Sequence, residues 1–173
     1  MKPIIERLGQ DADLRTLGPA RELAEEVVQQ PEMLEEVIEA FLSDDKVLRS
    51  RAGHILKKAA RECPEEVQPY KQILIEEASG IQQMHVREAF TVSVMKLDLS
   101  PNDIPQLFEI FLSYLQDRAS VVRTVAMQGL VELCELEPRY YPRVTPLIER
   151  LTRTGSAAMR ARGRHLLKRL GSA

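Results

Sequence analysis

Apolar residues recur along most of the chain at the three- and four-residue spacing of amphipathic helices. Leu107, Phe111 and Leu115, for example, fall on one face of a helix. No segment shows the sustained alternation of apolar and polar residues, bounded by turns, that is typical of a β-strand. Short polar stretches such as QDRAS (116–120) separate the apolar segments. The pattern therefore predicts an all-α chain without strands.

The predicted helices repeat along the chain. Five of them carry an arginine directly after an apolar residue, with another apolar residue seven positions later. These arginines are Arg21, Arg49, Arg87, Arg123 and Arg160. A proline stands eighteen residues before each of these arginines, at Pro3, Pro31, Pro69, Pro105 and Pro142. Proline is tolerated in the first turn of a helix and is rare further in. Each proline therefore indicates the start of a first helix, and each arginine marks a second one.

The repeating unit is thus an antiparallel pair of helices. It occurs five times, over residues 1–30, 31–66, 67–102, 103–139 and 140–173. The first unit is short, because only ten residues separate Arg21 from Pro31. We expect its second helix to be clipped by about two turns. A pair this small cannot bury its apolar face alone, so neighbouring pairs must stack.

The turn between the two helices carries the most specific signal. A turn Asp is followed by an apolar residue, the arginine and, three positions later, a small residue, as in DDKVLRSRA (44–52) and DRASVVRTVA (117–126). This pattern resembles the HEAT repeat over essentially the whole chain. Gly80 replaces the turn Asp and Phe90 the small residue in the third unit. The resemblance implies one domain, 1–173, folded as a right-handed α-α superhelix of about five helix pairs.

The resemblance also implies a structural role for the arginines. In HEAT repeats, an arginine at this position pairs with turn carboxylates and exposed carbonyls, forming a ladder along the turns. A guanidinium suits this role because it carries five N–H donors in a rigid fork. The residues that match this pattern are Arg49, Arg87 and Arg123, with Asp44 and Asp117 as the turn carboxylates.

Composition places the chain among ordinary globular proteins, with 44% hydrophobic and 29% charged residues. The apolar runs are too short to span a bilayer, and the charged N-terminal stretch does not resemble a secretory signal. Cys63 and Cys134 show neither a disulfide framework nor metal-ligand spacing, and we interpret them as buried thiols in a reducing compartment. We therefore expect a cytoplasmic protein without membrane association, as a monomer or with weak self-association.

Residues that could carry out catalysis are few. The three histidines are dispersed, no His-Glu or Cys-x-x-Cys cluster could hold zinc or iron, and the eight glycines form no phosphate-binding loop. Some helical-repeat proteins are enzymes, but they use Trp-lined basic channels or repeated His-Glu pairs, and this chain has no Trp. The sequence predicts no catalytic residue, no metal and no cofactor, and favours a non-catalytic scaffold that binds a protein or peptide.

A binding surface is expected on the arginine helices. Positions +3, +6, +7 and +10 from the arginine form their buried stripe, so positions +1, +5, +8 and +12 point away from it. In HEAT-like stacks the second helices line the concave side. The predicted partner-binding residues at these positions are His54, Lys57, Val92, Met95, Gln128, Val131, His165 and Lys168. The alternative is a slightly different helix phase, which would bury Val92 and Met95.

Charge is distributed unevenly. Residues 1–45 carry a net charge of −8, residues 143–173 carry +7, and the whole chain carries −2. One interpretation is that the terminal repeats need charged outer faces only for solubility. Another is self-association through the opposite ends. A third is nucleic-acid binding by the basic last helix, with possible anion-binding residues Arg160, Arg162, Arg164 and Arg169. Nucleic acid is the alternative partner to a protein or peptide.

Overall fold

The computed structural model describes residues 3–9, 13 and 16–171, and about 80% of the chain is helical. The described residues contain no β-strand, so the predicted all-α class is confirmed. The α-helices are α1 (Ile4–Leu8), α2 (Ala20–Gln29), α3 (Leu34–Leu42), α4 (Lys46–Glu62), α5 (Pro64–Val67), α6 (Lys71–Glu76), α7 (Met84–Val94), α8 (Asp103–Tyr114), α9 (Ser120–Leu136), α10 (Tyr141–Thr154) and α11 (Ala157–Gly171). No described helix has the length and apolar character needed to cross a membrane.

The arginines mark a common helix register. Four of the five occupy the fourth residue of their helix, in α4, α7, α9 and α11, and Arg21 is the second residue of α2. Helix α2 has 10 residues and is about two turns shorter than α4 and α9, with 17 each, but only one residue shorter than α7, with 11. Helix α4 begins after Asp45, whose Oδ1 accepts hydrogen bonds from the backbone N–H groups of Val47 (2.7 Å) and Leu48 (3.0 Å). This cap satisfies two amide donors that the first turn leaves open.

All five marker prolines lie at or near helix starts. Pro3 is the N-cap of α1, Pro31 opens a 3₁₀ turn that leads into α3, and Pro105 and Pro142 lie in the first turns of α8 and α10. Pro69 lies in the 3₁₀ segment Gln68–Tyr70, which leads into α6. A proline has no N–H for the helical i→i−4 bond, so Pro69 separates α6 from the short helix α5, which begins at Pro64.

Tertiary contacts divide the chain into two compact units, Met1–Asp98 and Leu99–Ala173. In the first unit α4 packs against α2, α3 and α7, and the buried core includes Leu23, Phe41 and Ile55. In the second unit α9 packs against α8, α10 and α11. Its core includes Phe108, Phe111, Leu130 and Ile148. Within each unit, successive arginine helices therefore lie side by side, and the single-domain organisation over 1–173 stays a prediction.

Candidate functional site

Three marker arginines donate hydrogen bonds back to the turn that precedes their own helix. Nη2 of Arg49 lies 3.4 Å from Oδ1 of Asp44. Nε of Arg87 donates to the carbonyl oxygen of Ile81 (3.2 Å), and Nη1 of Arg160 donates to that of Gly155 (3.2 Å). The acceptor is thus five or six residues upstream in each case. These bonds fasten each turn to the first turn of the arginine helix.

The turn before α9 is arranged differently. Oδ1 of Asp117 accepts a hydrogen bond from the backbone N–H of Ala119 (2.7 Å), which closes the turn locally. Nε of Arg123 is buried and has no hydrogen-bond partner among the described residues, and the same holds for Nε of Arg49. The arginine at this position therefore has a similar place in each turn but not the same partner.

The first unit has a small polar cleft between α4 and α7. Its volume is about 160 Å³, and it is lined by Thr16, Leu17, Ser50, Gly53, His54, Lys57, His85 and Glu88. Nζ of Lys57 lies 2.9 and 2.7 Å from the two carboxylate oxygens of Glu88. Both side chains are about a quarter exposed or less. The two predicted surface residues of α4, His54 and Lys57, therefore line one cleft, in which an acid neutralises the lysine.

The environment of His54 lowers the pKa of its imidazole below the ordinary value of 6.5. Burial is the main cause, because it penalises the charged form, and the cations Lys57, Arg21 and Arg61 act in the same direction. Glu88 acts in the opposite direction. The fold therefore favours neutral His54, and its contribution to stability is present above pH 6.5 and is lost as the pH falls through the lowered pKa.

We expect Lys57→Met to raise the pKa of His54. The substitution removes the cation that lowers this pKa and frees Glu88, which raises it. An NMR pH titration of the His54 ring measures the change. Lys58→Met is the matched control, because Lys58 lies on the same helix and pairs with Glu25 and Glu62 instead. An unchanged or lower pKa in Lys57→Met would contradict this electrostatic account.

The second unit has a larger cleft, between α9 and α11. Its volume is about 620 Å³, within the range of about 300–1,000 Å³ that is common for binding pockets. Its walls are Thr124 and Gln128 from α9 and Ala158, Ala161, Arg162, His165, Leu166 and Arg169 from α11. Four of these residues occupy the +1 and +5 positions that the sequence assigns to a binding surface: Thr124, Gln128, Ala161 and His165. We call this space the α9–α11 cleft.

Side chains of α9 hold two arginines at the wall of the α9–α11 cleft. Nη1 of Arg162 donates to Oε1 of Gln128 (3.0 Å). Arg169 binds Glu135 in a bidentate pair, with Nε–Oε1 at 2.9 Å and Nη2–Oε2 at 2.6 Å. This hydrogen-bonded carboxylate raises the pKa of Arg169 above its already high ordinary value. Both guanidinium groups are therefore charged and positioned by fixed partners.

The other predicted anion-binding residues lie outside this cleft. Arg160 is exposed and bonds to the Gly155 carbonyl, and Arg164 and Lys168 are exposed on α11. Arg164 forms no ion pair or hydrogen bond with any residue that the structure describes. The four predicted anion-binding arginines thus separate into Arg162 and Arg169, which line the cleft, and Arg160 and Arg164, which do not.

One predicted partner-binding residue, Val131, needs correction. Val131 is fully buried and cannot contact a partner directly. The reason is that α9 packs against α8, α10 and α11, so it buries a wider arc than a single stripe. Met95 is the C-cap of α7 and keeps helical backbone angles. Met95 and Val92 are both half-buried, so their part in partner binding stays a prediction.

Arg51 is an important residue that the repeat pattern does not single out. It is 1% exposed, and its Nη1 donates to the carbonyl oxygen of Leu8 (2.6 Å). Nη2 lies 3.4 Å from the carbonyl oxygen of Asp13. A signal was present in the sequence, since Arg51, Ile55 and Ala59 follow one another at four-residue intervals on a single buried face.

Both cysteines are buried free thiols. Burial is the main cause that raises the pKa of Cys134 to about 11, and it also raises that of Cys63. Thiols of this kind are protonated and poorly nucleophilic near neutral pH. Among the described residues, no group of three or more His, Cys, Asp or Glu side chains could hold a metal ion.

No protein-family model matches the chain, and no match is found among curated proteins or solved structures.

Proposed function

We propose that the chain is a HEAT-like helical-repeat module that binds a protein or peptide through its arginine helices and performs no catalysis. The proposal includes the right-handed superhelical stacking of about five pairs that the repeat pattern implies. It also includes a cytoplasmic setting, in keeping with two buried thiols that are not joined in a disulfide.

The α9–α11 cleft is the observation that carries the proposal. Residues from the +1 and +5 positions of two successive arginine helices line it together. A repeat protein gains binding surface in this way, because equivalent positions of neighbouring units add to one another. The lining combines small apolar side chains with an amide and cations. In binding sites for peptides and proteins, apolar side chains provide packing and a few polar groups provide specificity.

Site-specific photocross-linking tests this function. A benzophenone amino acid is introduced at Ala161, inside the cleft, and in a second variant at Glu149, an exposed residue of α10 that does not line it. After irradiation in extracts of the native cell, we expect discrete protein adducts from position 161 and none of the same adducts from position 149. Identical adduct patterns, or no protein adduct from position 161, would refute a protein-binding cleft.

Nucleic-acid binding is the second candidate. The observation that favours it is the exposed row of Arg160, Arg164 and Lys168, spaced four residues apart on α11. Such a row would contact phosphates and release counterions, so affinity would fall steeply with salt. Against it, the chain has a net charge of −2, and no aromatic residue lines the adjacent cleft for base stacking.

A further inference from the structure

The α9–α11 cleft contains a cation without an acidic partner. Two arginines, Arg162 and Arg169, line the cleft, and His165 adds an exposed imidazole. Arg169 is paired with Glu135 and lies 3.9 Å from Glu132, whereas Arg162 forms no ion pair with the described residues. No Asp or Glu is among the residues that line the cleft, and a positively charged cleft concentrates ligands of the opposite sign. The charge of Arg162 therefore favours an anionic ligand.

The cleft of the first unit is a natural comparison, because it uses equivalent positions of two arginine helices. There the +1 position of α7 is Glu88, which neutralises Lys57 across the cleft. In the second unit the +1 position of α11 is Ala161, which carries no charge. No acid at this position faces Arg162, and the acid of the second cleft, Glu135, pairs with Arg169 at the margin. The second cleft is also larger, about 620 Å³ against about 160 Å³.

The cations of the α9–α11 cleft are already oriented. The amide of Gln128 holds Arg162 through one N–H, and the remaining donors of this guanidinium make no hydrogen bond to the described residues. Glu135 holds Arg169 at the cleft margin. An arginine fixed in this way loses less side-chain entropy when a ligand carboxylate binds to it. A guanidinium with unused parallel donors is suited to bidentate recognition of a carboxylate.

The rest of the lining distinguishes an acidic peptide from nucleic acid. Ala158, Ala161 and Leu166 provide an apolar floor next to the cations. A peptide in which small aliphatic side chains alternate with acidic ones could pack the aliphatic side chains against this apolar surface. A nucleic-acid strand would require aromatic residues for its bases or a continuous track of cations for its phosphates. The exposed row that could form such a track, Arg160 and Arg164, lies outside the cleft.

We propose that the α9–α11 cleft binds an extended acidic segment of a partner protein, with a carboxylate on Arg162 and small apolar side chains on Ala158 and Ala161. The inference rests on the proposed function, since it names the kind of partner that the same cleft accepts. Arg162 is the principal contact, because Arg169 is already paired with Glu135.

Fluorescence anisotropy with three labelled probes of equal length tests the inference on the full chain. The probes are a peptide of alternating Glu and Ala, its counterpart of alternating Gln and Ala, and an oligothymidylate. At low salt we expect the Glu peptide to bind about tenfold or more tightly than either other probe, because each charged hydrogen bond contributes strongly. Tighter binding of the oligothymidylate would overturn the inference in favour of the nucleic-acid candidate.

Three variants locate the binding site. Arg162→Ala is expected to weaken binding of the Glu peptide about tenfold. Arg164→Ala is the matched control, because it removes the same charge from an exposed position of the same helix outside the cleft. Ala161→Glu, which introduces the acid found at the equivalent position of the first unit, is expected to abolish binding. Circular dichroism establishes that each variant is folded.

The possible failures are distinguishable. If Arg162→Ala and Arg164→Ala weaken binding equally, the attraction is a property of the whole basic helix and the inference is wrong. If the Glu peptide does not bind although position 161 cross-links to a protein, the inference fails and the proposed function stands. If position 161 gives no protein adduct, the proposed function itself fails.

Discussion

Replacing Arg51 with methionine is expected to lower the free energy of unfolding of the first unit by about 3 kcal/mol, since hydrogen bonds that involve charged groups contribute about 1.5–3 kcal/mol each. The side chain is 1% exposed and donates to the Leu8 carbonyl at 2.6 Å. Methionine keeps much of the volume but leaves this buried carbonyl without its donor. The loss therefore reflects an unsatisfied polar group more than a cavity.

Urea denaturation followed by circular dichroism measures this change, and hydrogen exchange of the α4 amides assigns it to the first unit. Arg61→Met is the matched control, because Arg61 is an exposed arginine of the same helix. Its effect is expected to stay within about 0.5 kcal/mol, as is usual for surface positions. Equal stability of the two variants would show that the Arg51 hydrogen bonds make no net contribution.

Gly163→Ala is expected to destabilise the second unit by about 1 kcal/mol. A Cβ at this position would lie 2.9 Å from Cβ and 3.2 Å from Cα of Thr152 on α10, in addition to meeting its hydroxyl oxygen. Rotation of the threonine cannot relieve contacts with its Cα and Cβ, so α10 and α11 must move apart. Such overpacking costs about 1–3 kcal/mol, and the higher helix propensity of alanine offsets about 1 kcal/mol of it.

Gly171→Ala provides the control on the same helix. A Cβ at Gly171 would meet no side chain or neighbouring helix of the described residues within 4 Å, so only the gain in helix propensity remains. Thermal unfolding of both variants should therefore show a lower midpoint for Gly163→Ala and an unchanged or higher one for Gly171→Ala. A midpoint for Gly163→Ala at or above that of the unmodified protein would mean that the two helices separate without penalty.

The helix register could be predicted from the sequence because it depends on local spacing. In the sequence, an apolar residue and an arginine are followed by apolar residues at helical intervals. In the structure, this arginine is the fourth residue of α4, α7, α9 and α11. The same logic assigned Thr124, Gln128, Ala161 and His165 to one surface, where they line a cleft. Positions on one helical face remain on one face whatever packs against the other.

Features that depend on tertiary packing could not be obtained in this way. Spacing alone does not show that α9 contacts several helices, which is why Val131 is buried. Nor does it show that an arginine on the buried face of α4 has carbonyl acceptors in another segment, 43 and 38 residues earlier. The short helix α5 was not predicted either, because the repeat pattern placed the helix start at Pro69 and Pro64 provides an earlier one.

The bond between Arg51 and Leu8 has a consequence for synthesis of the chain. The carbonyl of Leu8 is made 43 residues before the guanidinium that binds it. At about 5–20 residues per second, ribosomal synthesis takes about 2–9 s to cover that distance. During this interval the first helix has no anchor on α4, and a nascent chain that ends before Arg51 lacks the side chain that secures it. The N-terminal segment is therefore translated first and can contact α2 and α3 through Glu26 and Glu36, but its bond to α4 forms only after Arg51 has been made.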